Sequence, residues 1–264
     1  MAPLWVNIFR LAIWLVVLTA VFVPLERFLP VKRRATERGH KSTDVALYFL
    51  NNVLPNLLLA IPLAAVAWAA HRVLSVAWME TIAGLPLFLR LVCTVAVGEV
   101  GSYWGHRVAH EIPLLWRFHS VHHEPEEVDW LVNSHAHPFD VAFQRLCGLA
   151  PLYLIGLAQP MAESADIVPL VSTLVGSLWS FFIHSNIRVR LGPLEYLLST
   201  PAFHHWHHAR DEAARNRNYA ALLPCVDGLF GTLHLPERKW PEGYGTEAPP
   251  HRGLVNVLLR PFTS

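Results

Sequence analysis

The sequence predicts an all-α integral membrane bundle of about four to five spans or re-entrant helices, carrying a histidine-rich helical cap on one side. Three observations predict it. Of 264 residues, 53% are hydrophobic and 16% charged, against roughly 25% charged in an average soluble domain, and the mean hydropathy is +0.33. Several stretches stay apolar for the ~20 residues that a helix needs to cross a bilayer core. Of 16 histidines, 12 fall in five short stretches between His106 and His208.

The first span is expected at Leu4–Val23, where only Arg10 is charged; no small-residue cleavage site follows, so it reads as an anchor and not a signal peptide. The second, Val45–Ala70, is 26 residues without a charge. Thr81–Gly98 is a third, interrupted by Arg90, and Ile167–Ile183 a fourth. Between them Phe139–Ala158 is weaker. Asp140 and Arg145 leave only Leu146–Ala158 clean, ~20 Å of helix, which fits a short span or half of a re-entrant hairpin.

Arg27, Lys32, Arg33, Arg34, Arg38 and Lys41 collect between the first two spans, and loops rich in such residues stay cytoplasmic. The parity of the spans then places 24–43, 105–138 and 184–264 on the same side. No internal repeat, low-complexity run or long linker divides the chain. One domain over 1–264 is expected, with 1–104 and 139–183 as membrane base and 105–138 and 184–264 as cytoplasmic cap.

Other classes are excluded early. A net charge of +1 offers no basic surface for nucleic acid. Cys93, Cys147 and Cys225 lie too far apart for a disulfide framework or a CxxC site.

The histidines have ligand spacing. Glu99, Tyr103, His106 and His110 follow one another at 0, 4, 7 and 11, a single stripe along a helix. An acid inside a membrane helix is costly unless paired, and Glu99 is expected to accept a hydrogen bond from a ligand imidazole. Pro113 suits the first turn of a new helix, carrying His119, His122 and His123 on one face at i, i+3 and i+4. The pattern recurs at His204, His207 and His208, with Thr200 as N-cap and Pro201 the first helical residue. Between the triplets come His135, His137-Pro138 and His184-Ser185-Asn186. An isolated histidine is ordinarily a surface or hydrogen-bonded core residue, but two HxxHH triplets and an HxxxH pair on one side of a membrane read as metal ligands. Imidazole suits Zn, Fe, Cu and Ni, and so many of them exceed one tetrahedral zinc site, so two metals are implied.

The order HxxxH, HxxHH, HxxHH, the phrase Tyr103-Trp104-Gly105-His106-Arg107, the pair His137-Pro138, His184-Ser185-Asn186 and the tail from Asp211 through Asn218-Tyr219 to Asp227-Gly-Leu-Phe230-Gly231-Thr232 resemble the fatty acid hydroxylase and sterol desaturase superfamily, over about residues 95–235. The resemblance implies a membrane-bound, histidine-coordinated di-iron oxygenase. It assigns iron to His106, His110, His119, His122, His123, His204, His207 and His208, with His137 and His184 as ninth and tenth ligands. Glu99, Tyr103, Asp140, Asn186, Asp211 and Asn218 become candidates for orienting the imidazoles, although Asp211 and Asn218 equally suit turns. His135 stands where many members have arginine, Asp140 where many have glutamate, and His205 is extra to the pattern.

The implied cofactors are two iron ions, which zinc can replace on purification, with O2 as co-substrate. The implied reaction is hydroxylation or desaturation of a C–H bond in a lipid such as a fatty acyl chain or a sterol. No GxGxxG cradle, haem-attachment motif or Fe–S cysteine set is present, so a separate ferredoxin, cytochrome or reductase is expected to supply electrons. The site is expected to face the cytoplasm, in a bacterial inner membrane. Trp104, Trp116, Trp130, Trp179 and Trp206 fit a substrate channel or an interfacial belt. A metalloprotease needs HExxH, and neither His110-Glu111 nor His123-Glu124 continues that way. A histidine-rich metal transporter, a zinc hydrolase or a non-catalytic metal-binding protein are the remaining alternatives.

Overall fold

The computed structural model describes residues 3–32, 41–158, 167–236 and 239–263. Its helices are α1 (Leu4–Phe28), α2 (Lys41–Val73), α3 (Val76–Ala83), α4 (Leu87–Glu111), α5 (Pro113–His119), α6 (Pro138–Leu154), α7 (Ile167–His184), α8 (Pro201–His207), α9 (Cys225–Phe230) and α10 (Leu254–Thr263). The described residues hold no strand beyond two isolated bridges, Pro30 to Ile187 and Ala209 to Tyr244. Among the described residues four helices, α1, α2, α4 and α7, are long and apolar enough to cross a membrane, and they turn side chains such as Ile61, Phe88 and Leu170 outward. A soluble protein would bury those residues; a bilayer solvates them.

The third span differs from the expected Thr81–Gly98. Pro86 disfavours helix at the residue before it, so α3 stops at Ala83 and α4 starts at Leu87. It then runs unbroken to Glu111, carrying the HxxxH pair on its last turns. α6 covers 17 residues, ~25 Å of helix, and packs against α2 and α4. Its link to α7 at 159–166 lies outside the described residues, as do Arg33, Arg34 and Arg38 of the basic loop.

α4 and α6 meet almost backbone to backbone. A Cβ added at Gly101 would lie 2.3 Å from the Cys147 carbonyl oxygen, and one at Gly105 2.5 Å from Cys147 Cβ. Small residues at such crossings let transmembrane helices approach closely. A second contact joins Leu18 and Phe22 of α1, Tyr48 of α2, Phe181 of α7 and the 3₁₀ turn Trp130–Ser134. At the C-terminus, Val257 of α10 packs on Leu47 and Val121. Arg260 Nε pairs with the buried Glu124 at 2.5 Å and its Nη1 donates to Ser120 Oγ, tying α10 to the residue after His123.

Candidate metal centre

Proline and capping chemistry set the two HxxHH segments. Pro113 occupies the first turn of α5 and Pro201 that of α8, where the Thr200 hydroxyl accepts from the Phe203 N–H. α5 ends at His119, one turn sooner than its spacing suggests. His122 and His123 follow in tight turns closed by backbone bonds such as His122 N–H to His119 O. The three rings therefore do not share one face.

They divide between two groups. His106, His110, His119, His123 and His207 form one, and His122, His184, His204 and His208 the other; within each, the potential ligand atoms all lie within 4.8 Å of one another. The division is reciprocal. The i and i+4 rings of the first HxxHH (His119, His123) join the first group and those of the second (His204, His208) the second group. The i+3 ring of each, His122 and His207, crosses to the other. HxxxH of α4 completes the first group and His184, at the end of α7, the second.

The hydrogen bonds bear on whether these rings suit a cation. Five of the nine present Nδ1 to an oxygen: His106 to Tyr219 O at 2.7 Å, His119 to Asp140 Oδ2 at 3.0 Å, His122 to His135 O at 3.1 Å, His184 to Ser180 O at 2.7 Å and His207 to Arg217 O at 2.8 Å. Such oxygens accept, so Nδ1 carries the hydrogen and Nε2 is left as a bare lone pair. These lone pairs face one another. His106 and His119 Nε2 are 3.1 Å apart, and so are His122 and His184 Nε2. Two neutral acceptors at that distance repel, whereas nitrogens sharing an ion at about 2.1 Å each sit close together. His110 Nε2 and His207 Nε2 are buried with no partner, a cost that ligation removes. The residues fit a metal ion in each group.

Burial and neighbouring imidazoles hold His122, His123, His204, His207 and His208 well below the usual histidine range. They are neutral, and so ready to ligate, throughout the physiological range.

The other predicted residues sort by contact. Asp140 accepts from the His119 ring, as expected of an orienting carboxylate. Glu99 does not touch an imidazole; its Oε1 accepts the Leu222 and Leu223 N–H groups at 2.7 and 3.1 Å. Tyr103 shares a 2.8 Å hydrogen bond with Thr232, which donates to Asp227 Oδ1. Asp227 in turn takes the N–H groups of Tyr219 and Ala220, and so holds the segment whose Tyr219 carbonyl orients His106. Asn218 adopts positive φ (58°) and bridges Phe203 O and His234 O through its amide. Asn186 pairs with the backbone of Lys32, and Asp211 caps a 3₁₀ turn at Ala213.

His137 is a correction. Its Nδ1 accepts the Phe139 N–H at the start of α6 and its Nε2 donates to Leu258 O at 3.3 Å, so neither nitrogen reaches the groups. The Pro138 that follows makes it an N-cap. His135 and His205 also lie outside: His135 Nδ1 is 2.5 Å from Asp44, and His205 lies between Tyr244 and Ser185 O. The carbonyls of Tyr219, Ser180, His135 and Arg217 were missing from the sequence reading, because a backbone oxygen carries no residue signature.

Paired imidazole groups gathered around the ends of α4 and α7 define a candidate metal centre of a membrane protein. The fatty acid hydroxylase family model matches residues 91–232. An ornithine lipid hydroxylase of Rhizobium tropici is 32% identical over 98% of this chain and 76% of its own length. Alkylglycerol monooxygenases of Homo sapiens (29% identical, 65% of this chain) and Danio rerio (35%, 51%) also match, over 35% and 28% of their own lengths. No solved structure matches. The chain belongs to the fatty acid hydroxylase family, whose members use iron, and is an integral membrane oxidoreductase acting on lipids.

Proposed function

We propose that the two groups hold a di-iron centre, with His106, His110, His119, His123 and His207 on one iron and His122, His184, His204 and His208 on the other. The observation that carries this is the facing of bare Nε2 lone pairs in both groups. Such a centre supplies the reductive activation of O2 that attack on an unactivated C–H bond requires. Insertion of one oxygen atom consumes O2, two electrons and two protons and releases water. A separate electron carrier provides the electrons.

The chain's own part is positioning and exclusion of water. Asp140 and four backbone carbonyls fix the imidazole tautomers. Trp116 packs 4.9 Å from His110 and 5.5 Å from His123, walling the first group. His106 and His110 lie on the last turns of α4 and His184 at the end of α7, where a lipid chain held among the spans would meet the cap. That placement disfavours a transporter, whose site belongs near the midplane.

Hydroxylation is favoured over desaturation because the matched relatives are named for hydroxylation or monooxygenation. The nearly full-length match supports a membrane lipid with an amino-acid headgroup as substrate class. The placement of basic residues supports a single domain with the base at 1–104 and 139–183 and the cap facing the cytoplasm, in a bacterial inner membrane.

Comparing lipid extracts of cells with and without the gene tests the reading. A species heavier by one oxygen, formed only in air, is expected. Loss of two hydrogens would replace hydroxylation with desaturation, and an unchanged lipid profile would overturn the enzyme reading.

A further inference from the structure

The membrane helix α2 lies outside the family-matched segment 91–232, yet its polar residues bear on the second ligand group. Asp44, in the first turn of α2, is completely buried, and its Oδ1 lies 2.5 Å from His135 Nδ1. Two turns on along the same stripe, Asn51 Nδ2 donates to both Ser134 O (3.1 Å) and Ala136 O (2.9 Å). Three consecutive residues of the turn before α6 are thus gripped from one face of α2. The middle one presents the carbonyl that accepts the His122 Nδ1–H.

We infer that Asp44 and Asn51 are positioning residues for the second metal: through His135 they fix the tautomer and aim of His122. The inference rests on the di-iron reading above. His122 is the ligand that crosses from the first HxxHH segment, so its misplacement leaves the second group with His184, His204 and His208. His119, in the same segment, takes its orientation from Asp140 of α6 and touches neither Asp44 nor Asn51. A buried carboxylate at a helix N-terminus is stabilised by the macrodipole and costs little when a histidine donates to it. In the middle of a membrane helix it would be expensive.

The effect is therefore site-selective, which separates positioning from general stability. Purified full-length protein, stripped of metal in detergent, is titrated with Co(II), and the ligand-field absorption of bound cobalt is followed. The intact chain is expected to show two classes of site. Asp44→Asn is expected to weaken one class about 10- to 100-fold, the range for loss of a group that orients a metal ligand, and to leave the other within about twofold. Asn51→Ala should weaken the same class. Because an altered buried pair can impair folding, the double variant D44L/H135L, which removes both members of the buried pair, is titrated in parallel, with the same selective loss expected. Equal weakening of both classes, or none, in the folded variants overturns the inference while the di-iron reading stands. A wild-type chain that binds no cobalt overturns the di-iron reading itself.

Discussion

His123 and His208 lie ring on ring, 4.5 Å between centroids and 28° from parallel, one from each ligand group. The groups therefore share a wall. Activity, which needs both, should fail when either is damaged.

His122→Ala and His207→Ala test this coupling most directly, because each removes the ligand that crosses between groups. Metal analysis of purified protein should fall from about two irons per chain to one or fewer, and lipid hydroxylation should be lost by at least ~10³-fold, since a di-metal mechanism needs both ions. A His122→Ala chain that keeps both irons and its activity would refute the assignment.

Asp140→Asn leaves an amide oxygen that can still accept from His119 but removes the charge. Iron affinity or turnover should drop about 10- to 100-fold, with the apo-protein's unfolding midpoint little changed. His137→Ala, by contrast, should retain full iron content, because its ring caps α6 and faces Leu258 O. Iron quantification of the two variants side by side distinguishes ligand, orienting group and cap.

Asp227 gathers the Tyr219 and Ala220 N–H groups and the Thr232 hydroxyl. Asp227→Ala strands three buried donors, at ~1–3 kcal/mol each. The unfolding midpoint of the apo-protein should fall, and iron with it, since the Tyr219 carbonyl no longer holds His106. A normal midpoint would show that the segment is held elsewhere.

Acid should destabilise the metal-free chain. Burial holds His122, His123, His204, His207 and His208 well below the usual value and pushes His205 down to about 3. In the unfolded chain the same groups titrate near 6.5, so below that pH the unfolded state binds more protons. Stability is fully present above about pH 6.5 and is lost as pH falls below it, at about 1.4 kcal/mol per pH unit for each histidine involved. Unfolding midpoints measured from pH 8 to 5 should be flat and then decline. Bound metal should raise the midpoints across this range without moving the onset of the decline, which the unfolded chain's imidazoles set.

The spans and the ligand histidines were legible in the sequence because both are local patterns: apolar length, and imidazoles at i, i+3 and i+4. Pro113, Pro201 and Thr200 announced their helix starts for the same reason. The allotment of the nine rings was not legible. It depends on α5 ending at His119, and it pairs residues up to about a hundred apart in the chain, such as His106 with His207. Glu99 misled because a buried acid needs donors of any kind, and the Leu222 and Leu223 amides serve as well as an imidazole. Asp44 was hidden at the head of an apolar span, with its partner 91 positions away.

The crossed ligands have a consequence for how this fold could be divided. Cut between Glu124 and His184, the amino-terminal piece would own four ligands of its centre and the carboxy-terminal piece three, each lacking the ring that the other carries. Neither fragment could complete a cage unaided. Mixed together they would have reason to rejoin in one register only, with the ions as the clasp.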